Sequence, residues 1–346
     1  MDALERVEIV AAIGERGSFR LCFRLDRGST LPARYLLESG DLVRVVVMTG
    51  DGADQTVAMD GVMVTHWVSA GGEDAGLVIG GEDVTLLMDL IDGSGRSFPG
   101  MTVEARVAVI LAAYSSRGVT PVVVPPPLTD VTSPSERIFH QLGTDYAYLQ
   151  SLARRAGYRF TLDPGPAPGS SVGYWGPEPR GNRSRPSLVI RFGRPGNVKT
   201  LQLRFDAMGR VAPQAIVIEP VSKAMIPIPV PDISGLGLPL GAVVPPSHRL
   251  RRLSGTAKLT SVQAAGALLA EAARSAEAMT GLGTLNVVRG QRRLRPGDIV
   301  DIREAADPYD GLFAVSRVRD VITARRHRQE FELVRAGLGI ASGGAP

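Results

Sequence analysis

Few side chains in this sequence have the type and spacing that covalent chemistry requires. None of the four histidines belongs to an H-x-x-x-H or E-x-x-H pattern of the kind that holds zinc, and they lie far apart, at His66, His140, His248 and His327. The one cysteine, Cys22, excludes an intrachain disulfide and a thiolate metal cluster, and a buried structural thiol is expected there. The sequence therefore predicts no metal site and no cofactor.

Serine nucleophiles and dinucleotide loops are also missing from the sequence. No G-x-S-x-G elbow is present, and Gly235–Gly241 lacks the glycine spacing and the strand–helix context of a dinucleotide loop. Gly-Gly-Glu-Asp occurs at 71–74 and again at 80–83, and we interpret both copies as turns around a strand over Ala75–Ile79. Three further aspartates are assigned to turns rather than to acid–base catalysis, namely Asp51, Asp54 and Asp60. We predict no catalytic residue and no enzymatic activity.

Charge is divided unevenly along the 346 residues, whose formal net charge is +4. Residues 1–150 carry 11 Lys or Arg against 20 Asp or Glu, a net of −9, and residues 151–346 carry 28 against 15, a net of +13. This split predicts that the two halves face different partners. Only three basic residues are lysines and aromatic residues make up 5% of the chain, so we predict no specific nucleic-acid partner.

No targeting or membrane segment is predicted. The acidic N-terminal stretch lacks the apolar core of a signal peptide, so we expect no signal peptide and assembly in the cytoplasm. Residues 225–246 are apolar, but six prolines and Asp232 would leave backbone groups unsatisfied in lipid. We predict a Pro-rich extended arm there, packed on protein, and no membrane-spanning segment.

Hydrophobic periodicity predicts β structure at both ends of the chain and helices between them. Early strands are predicted over Val7–Ile13, Phe19–Phe23, Leu42–Met48 and Val62–Val68, with Asp60-Gly61 as a turn, and β structure returns over Leu285–Arg335. The predicted helices are Thr102–Tyr114, Gly143–Tyr158 and Thr260–Thr280, the last ended by Gly281-Leu-Gly283. For the second helix, Thr144 is the expected N-cap and Gly157 the expected stop. Short strands separated by turns favour a small barrel or sandwich.

Two stretches of the middle region, Gly143–Tyr158 and Tyr174–Pro177, resemble segments of the phage late control D proteins, which are tail baseplate hubs, and of the similar hub part of VgrG-type spikes. The helix Gly143–Tyr158 is similar to the family pattern TD-x-x-[FY]-[LI]-x-x-L-A-x-x-x-G-[YF]. Downstream, Tyr174-Trp-Gly-Pro177 resembles the YWGP strand of a subset of these hubs.

Both ends of the chain add to this resemblance. Met59–Met63 followed by Val78–Asp83 resembles the signature of the family's first domain, with Glu82 at its acidic position. Gly311–Gly337 resembles the closing hairpin, although Asp320 stands where the family has histidine. The four motifs occur in order and cover nearly the whole chain.

The resemblance implies an α+β, mainly β chain with two small tube-like β-barrel domains, an α/β middle region and a Pro-rich extended arm. We therefore predict an N-terminal barrel-like domain over 1–98, a middle region over 99–222, the arm over 223–256, and a helix with a C-terminal barrel-like domain over 257–346. It further implies a homotrimer, in which two barrels from each subunit would match a hexameric tail tube. The implied partners are the tail tube protein, a spike protein and other baseplate proteins of a virion tail or an extracellular injection particle.

This resemblance gives the uneven charge a structural interpretation. If the acidic part of one subunit meets the basic part of the next, contacts between subunits would close a ring. We predict Arg292 and Arg293 as inter-subunit contacts on this basis. Two other functions stay open: a cell-wall-degrading hub enzyme, although no inserted domain of about 100 residues is visible, and a DNA-binding protein that uses the basic half.

Overall fold

Strands dominate the computed structural model, which describes residues 4–25, 42–50, 55–70, 76–128, 135, 138–178, 186–190, 196–219, 222–228, 240–243, 245–287 and 293–340. The mainly β, α+β class is therefore confirmed. The N-terminal strands are β1 (Leu4–Ala12), β2 (Ser18–Phe23), β3 (Arg44–Thr49), β4 (Thr56–Ser69) and β5 (Gly76–Asp83).

Helices and short strands alternate in the middle of the chain. In order, they are β6 (Ser97–Phe98), α1 (Val103–Ala112), β7 (Val119–Val123), β8 (Phe139–His140), α2 (Asp145–Ala156), β9 (Arg159–Pro164), β10 (Ser171–Gly176), β11 (Ser187–Val189), β12 (Thr200–Phe205), β13 (Val211–Ile218) and β14 (Met225–Ile228). The C-terminal elements are β15 (Gly241–Val243), β16 (Arg249–Arg252), α3 (Ser261–Arg274), β17 (Met279–Asn286), β18 (Ile299–Arg303), β19 (Gly311–Thr323), β20 (Arg326–Arg335) and β21 (Leu338–Ile340).

A single 11-stranded sheet joins the two ends of the chain, in the order β12-β17-β20-β19-β1-β2-β5-β4-β3 with β11 and β18 at its side. The junction is β19, whose first residues pair with β18 and whose last residues pair with β1 on the same edge. Its 13 residues are long enough to serve both neighbours. The described strands of the two ends thus form one sheet and close no barrel, which differs from the expected pair of separate barrels.

Glycines that the sequence suggested as turns lie inside strands of this sheet. Asp60-Gly61 is in the middle of β4, and Gly80-Gly81 is in β5. A Cβ atom on Gly81 would lie 2.3 Å from the ring of Phe19, so the missing side chain makes room for a core aromatic residue. The predictions of turns at these positions are wrong because close packing, and not chain reversal, requires glycine here.

The end of α3 differs from the prediction for the same reason. The helix ends at Arg274, residues 275–278 form the connection, and Met279 and Thr280 already belong to β17. A Cβ atom on Gly283 would lie 2.3 Å from the ring of Phe331 on the neighbouring strand. The start of α3 is as predicted, because Thr260 caps it through a capping box with Gln263.

Helix α2 is confirmed at both ends. The hydroxyl of Thr144 accepts a hydrogen bond from Ala147 N at 3.2 Å, and Gly157 ends the helix in the left-handed conformation with φ 70°. A Cβ atom on Gly157 would lie 2.7 Å from Cα of Ala270, so the end of α2 packs directly on α3. Glycine is required at this point for both conformation and space.

The motifs of the middle region form its hydrophobic core. Trp175 from the YWGP stretch is fully buried, and its indole N–H donates to the carbonyl of Leu149 in α2 at 3.4 Å. The ring of Tyr158 packs edge-on against Trp175 at 5.0 Å between centroids. These motif residues hold helix and strand together, which makes their role one of packing.

A polar joint connects the large sheet to the middle region. The guanidinium of Arg16, in the turn after β1, donates to Glu82 and to Asp89, both at 2.7 Å, and lies 4.4 Å from the ring centre of Tyr146 in α2. In the same joint, the buried carboxylate of Asp83 accepts hydrogen bonds from the backbone N–H groups of Gly17 and Thr85. Burial raises the pKa of Asp83 to about 6 even though these donors favour the charged form.

We expect this carboxyl to make the protein more stable in mild acid, by about 1 kcal/mol between pH 7 and pH 5. Because its folded pKa lies above the unfolded value, the folded state takes up the proton first. The contribution to stability therefore grows as the pH falls through about 6 and is complete below about 4. Urea unfolding at pH 7 and pH 5 measures this change in the free energy of unfolding. The wild-type chain should show it, Asp83→Asn should lose it, and Asp307→Asn, at an exposed position, is the control that should keep it. An equal pH dependence in all three proteins would contradict this assignment.

Candidate functional site

The large sheet has one apolar face and one charged face. Alternation along β1 and β20 sends Ile9, Phe331 and Leu333 into the core. Side chains of the other parity lie on the opposite face, which we call the charged face, and its central residues are Arg6, Glu8, Arg317, Arg319, Arg328 and Glu330.

Ion pairs cross the charged face from strand to strand. Arg319 on β19 donates to Glu8 on β1 at 2.8 Å and to Glu330 on β20 at 3.2 Å. Each carboxylate has a second arginine, since Arg6 pairs with Glu8 and Arg328 pairs with Glu330. The result is a row of five charges of alternating sign that spans the junction between the two ends of the chain.

Two groups of this row have pKa values shifted toward their charged forms by their neighbours, namely Glu330 and Arg319. Burial alone would raise the pKa of Glu330, but Arg328 and Arg319 outweigh it and lower that pKa. The hydrogen bond from Arg319 to Glu8 raises the pKa of Arg319. Glu330 and Arg319 therefore stay charged over the physiological pH range.

Three open grooves lie on the charged face, with volumes of about 460, 330 and 400 Å³. Thr200, Leu282 and Glu330 line the first, and Glu8, Arg20 and Trp67 line the second. Arg20 also lies 5.7 Å from the ring centre of Trp67. Shallow grooves with mixed charges suit polar contacts with a macromolecule better than enclosure of a small ligand.

Within the described residues, no three His, Cys, Asp or Glu side chains come together in a way that could hold a metal ion. Cys22 is buried in β2, as expected from its surroundings in the sequence. No helix in the described parts of the chain is both long and apolar enough to cross a bilayer.

The two predicted inter-subunit residues have different positions. Arg292 lies outside the described residues. Arg293 donates through Nε to Asp320 at 2.8 Å, and its side chain is 14% exposed. Asp320 also lies 2.6 Å from Nε2 of His327, which places this aspartate at the centre of an internal cluster. An inter-subunit role for the two arginines stays a prediction.

Other arginines of the basic half of the chain also occur in groups. Arg249, Arg251 and Arg252 form β16, and Arg326 and Arg328 belong to the hairpin of β19 and β20. The cluster that contains Arg180, Arg183, Arg185, Arg191 and Arg194 lies outside the described residues.

The charged face was missed by sequence reasoning, although a signal for it exists. Arginines alternate at 317 and 319 in one strand, and glutamates alternate at 330 and 332 in the next. Their complementarity becomes visible only when the register places Arg319 opposite Glu330 and Arg317 opposite Glu332.

Solved structures of tail proteins share this architecture. A tail protein from Neisseria meningitidis superposes with a TM-score of 0.63 at 16% identity, covering 97% of this chain and 94% of that one. The 43 kDa tail protein of prophage MuSo2 from Shewanella oneidensis gives 0.60 at 16% identity, covering 96% and 94%. The chain has the tail-protein fold. The resemblance to phage tail proteins is thereby confirmed at the level of the fold.

The tail-protein fold also extends to secretion machinery. A component of the E. coli type VI secretion system, described as similar to the T4 bacteriophage tail proteins gp27 and gp5, gives a TM-score of 0.59 at 11% identity, covering 99% of this chain and 77% of that one. No family model matches the sequence, and no curated protein matches it. This chain is thus similar to the solved tail proteins in its three-dimensional structure, while its sequence identity to them is low.

Proposed function

We propose that this chain is the structural baseplate hub of a contractile phage tail or of a phage-like injection system. In this role it forms a homotrimer that connects the hexameric tail tube to the trimeric spike and to other baseplate proteins. The near-complete superposition on tail proteins supports the proposal. The action is mechanical, and no residue takes part in covalent chemistry.

The continuous sheet is the observation that carries the proposal. Its path ends on β3 in the acidic half of the chain and on β12 in the basic half. If β3 of one subunit meets β12 of the next, three copies close into a ring and both ends of this path find a partner. The two halves of the sheet, which meet at β1 and β19, then act as the two tube-like units of each subunit, and the charged face lines the channel.

The oligomeric state tests this function. Light scattering or native mass spectrometry of the purified chain should give three times the subunit mass of 36.7 kDa, and its complex with the tube and spike proteins should contain three copies of this chain. A species that stays monomeric in the presence of both partners would contradict the hub.

We expect Arg292→Glu to weaken self-association about tenfold at low salt and much less at high salt. The change replaces an attraction between the basic and acidic ends of adjacent subunits with a repulsion. Arg292 is preferable to Arg293 for this test, because Arg293 already pairs with Asp320 inside the chain. Sedimentation at two salt concentrations measures the effect, and Arg155→Glu on the exposed end of α2 is the control. If both variants associate equally well, the charge of Arg292 does not contribute to self-association.

A further inference from the structure

Strand β16 is an exposed edge strand in the small sheet β14-β13-β16. It pairs in parallel with the first half of β13, with Arg249 opposite Val211 and Arg252 opposite Gln214. All four residues of β16 are exposed, and no other described strand pairs with its outer edge. Within the described parts of the chain, the outer edge of β16 is thus open to one more strand.

The side chains of β16 carry positive charge with little compensation. Arg251 donates to Glu271 on α3 at 2.8 Å, yet its side chain stays 64% exposed. Among the described residues, Arg249 and Arg252 have no carboxylate within ion-pair distance. Leu250 between them is 73% exposed. The open edge of β16 is therefore positively charged, with a single apolar side chain between its arginines.

Alternation assigns these side chains to two sides of the strand. Arg249 and Arg251 lie on the side of α3, since Arg251 reaches Glu271. Leu250 and Arg252 lie on the other side, next to Ala212 and Gln214 of β13. A strand added to this edge would meet two arginines on one side and a leucine and an arginine on the other.

We propose that the outer edge of β16 binds an extended acidic segment of a partner protein as an additional strand. Backbone hydrogen bonds would supply the pairing. Carboxylates would face Arg249, Arg251 and Arg252, and one apolar side chain would cover Leu250. An acidic polypeptide fits better than a nucleic acid, because a nucleic acid cannot extend a β ladder and β16 offers no aromatic ring for base stacking. This surface lies outside the large sheet and does not depend on the hub function.

A peptide-binding experiment with the full chain tests the proposal. The probe is a labelled acidic peptide of about eight residues, in which glutamates on both sides of the strand flank a single central valine, and the readout is fluorescence anisotropy. We expect Arg249→Glu/Arg252→Glu to weaken binding about tenfold, because two attractions become repulsions. The matched control is Arg154→Glu/Arg155→Glu on the exposed end of α2, which changes the net charge equally and should leave the affinity unchanged.

Hydrogen exchange separates strand addition from simple charge attraction. If the peptide pairs with the backbone, the amides within residues 249–252 exchange more slowly when it is bound. Unchanged exchange at these amides, no binding by the wild-type chain, or equal loss in the control variant would each overturn the proposal. A single-stranded oligonucleotide could instead bind the same arginines more tightly and displace the peptide. That result would overturn the peptide proposal and indicate a nucleic-acid surface.

Discussion

Replacing Arg335 with methionine is expected to lower the free energy of unfolding by about 4 kcal/mol, because several buried carbonyl groups would lose their donor. Arg335 is 1% exposed and lies on β20. Its guanidinium donates to the carbonyls of Gly337 at 3.0 Å, Asp310 at 2.8 Å and Pro308 at 2.7 Å. These bonds tie the loop before β19 to the segment after β20.

The guanidinium of Arg335 is charged in the folded protein. Burial lowers its pKa to about 10, which still keeps it protonated at neutral pH. Its carbon atom lies 4.3 Å from the ring centre of Phe313, so an aromatic face and three carbonyl dipoles replace water around the charge.

Urea unfolding followed by circular dichroism measures the effect of Arg335→Met. Arg335→Lys should lose most of the same stability, because one ammonium group cannot reproduce the planar fork that reaches three carbonyls. Arg326→Met removes an exposed arginine from the same strand and should change stability by less than about 0.5 kcal/mol. A loss below about 1 kcal/mol in Arg335→Met would show that the loop finds other donors.

Asp320→Ala is the second large change, with an expected loss of about 4 kcal/mol of unfolding free energy. Asp320 is 1% exposed and bridges Arg293 and His327. Removing the carboxylate leaves the guanidinium of Arg293 in a nearly buried position without a counter-ion.

The Asp320 cluster also has a defined pH dependence. Burial alone would raise the pKa of Asp320, but His327 and Arg293 outweigh it, and the folded pKa lies below the usual value. Its contribution is therefore present above the unfolded pKa of about 4 and is lost as the pH falls through the folded pKa. In Asp320→Ala, the free energy of unfolding should therefore fall less steeply as the pH is lowered below about 4.

A double-mutant cycle separates the interaction between Asp320 and Arg293 from a non-specific loss of stability. Asp320→Ala/Arg293→Met should be more stable than the sum of the two single losses predicts, by at least about 1 kcal/mol, because the second change removes the orphaned charge. Asp301→Ala, which removes an exposed ion pair with Arg303, should cost less than about 1 kcal/mol. Strict additivity in the cycle would mean that the two side chains do not stabilise each other.

Local signals in the sequence were sufficient for some elements. Helix α2 could be bounded correctly because its cap at Thr144, its apolar period and its stop at Gly157 all lie within one short stretch. The tail-protein fold was predicted from the resemblance of short motifs to a known family, and Trp175 of one such motif lies in the core of the middle region.

Other features depend on contacts that no local signal encodes. The pairing of Ile9 with Asp320 joins residues from opposite ends of the chain, so the two predicted barrels could not be distinguished from one sheet. Gly81 resembled a turn residue and Gly283 resembled part of a helix stop, because the rings that need their space, Phe19 and Phe331, lie on other strands. The charged face required the register of β19 and β20 before its complementarity could be recognised.

Because β1 pairs with the end of β19, the large sheet cannot be completed until Thr323 has left the ribosome. At translation rates of about 5–20 residues per second, β1 and β2 wait roughly 15 to 60 s with one edge unpaired. Contacts of such long sequence separation also make folding slow. The N-terminal strands are thus most exposed to aggregation during synthesis, and a chain interrupted before β19 cannot present the finished sheet to its neighbours. In the hub that we propose, only chains translated almost in full could therefore take part in assembly.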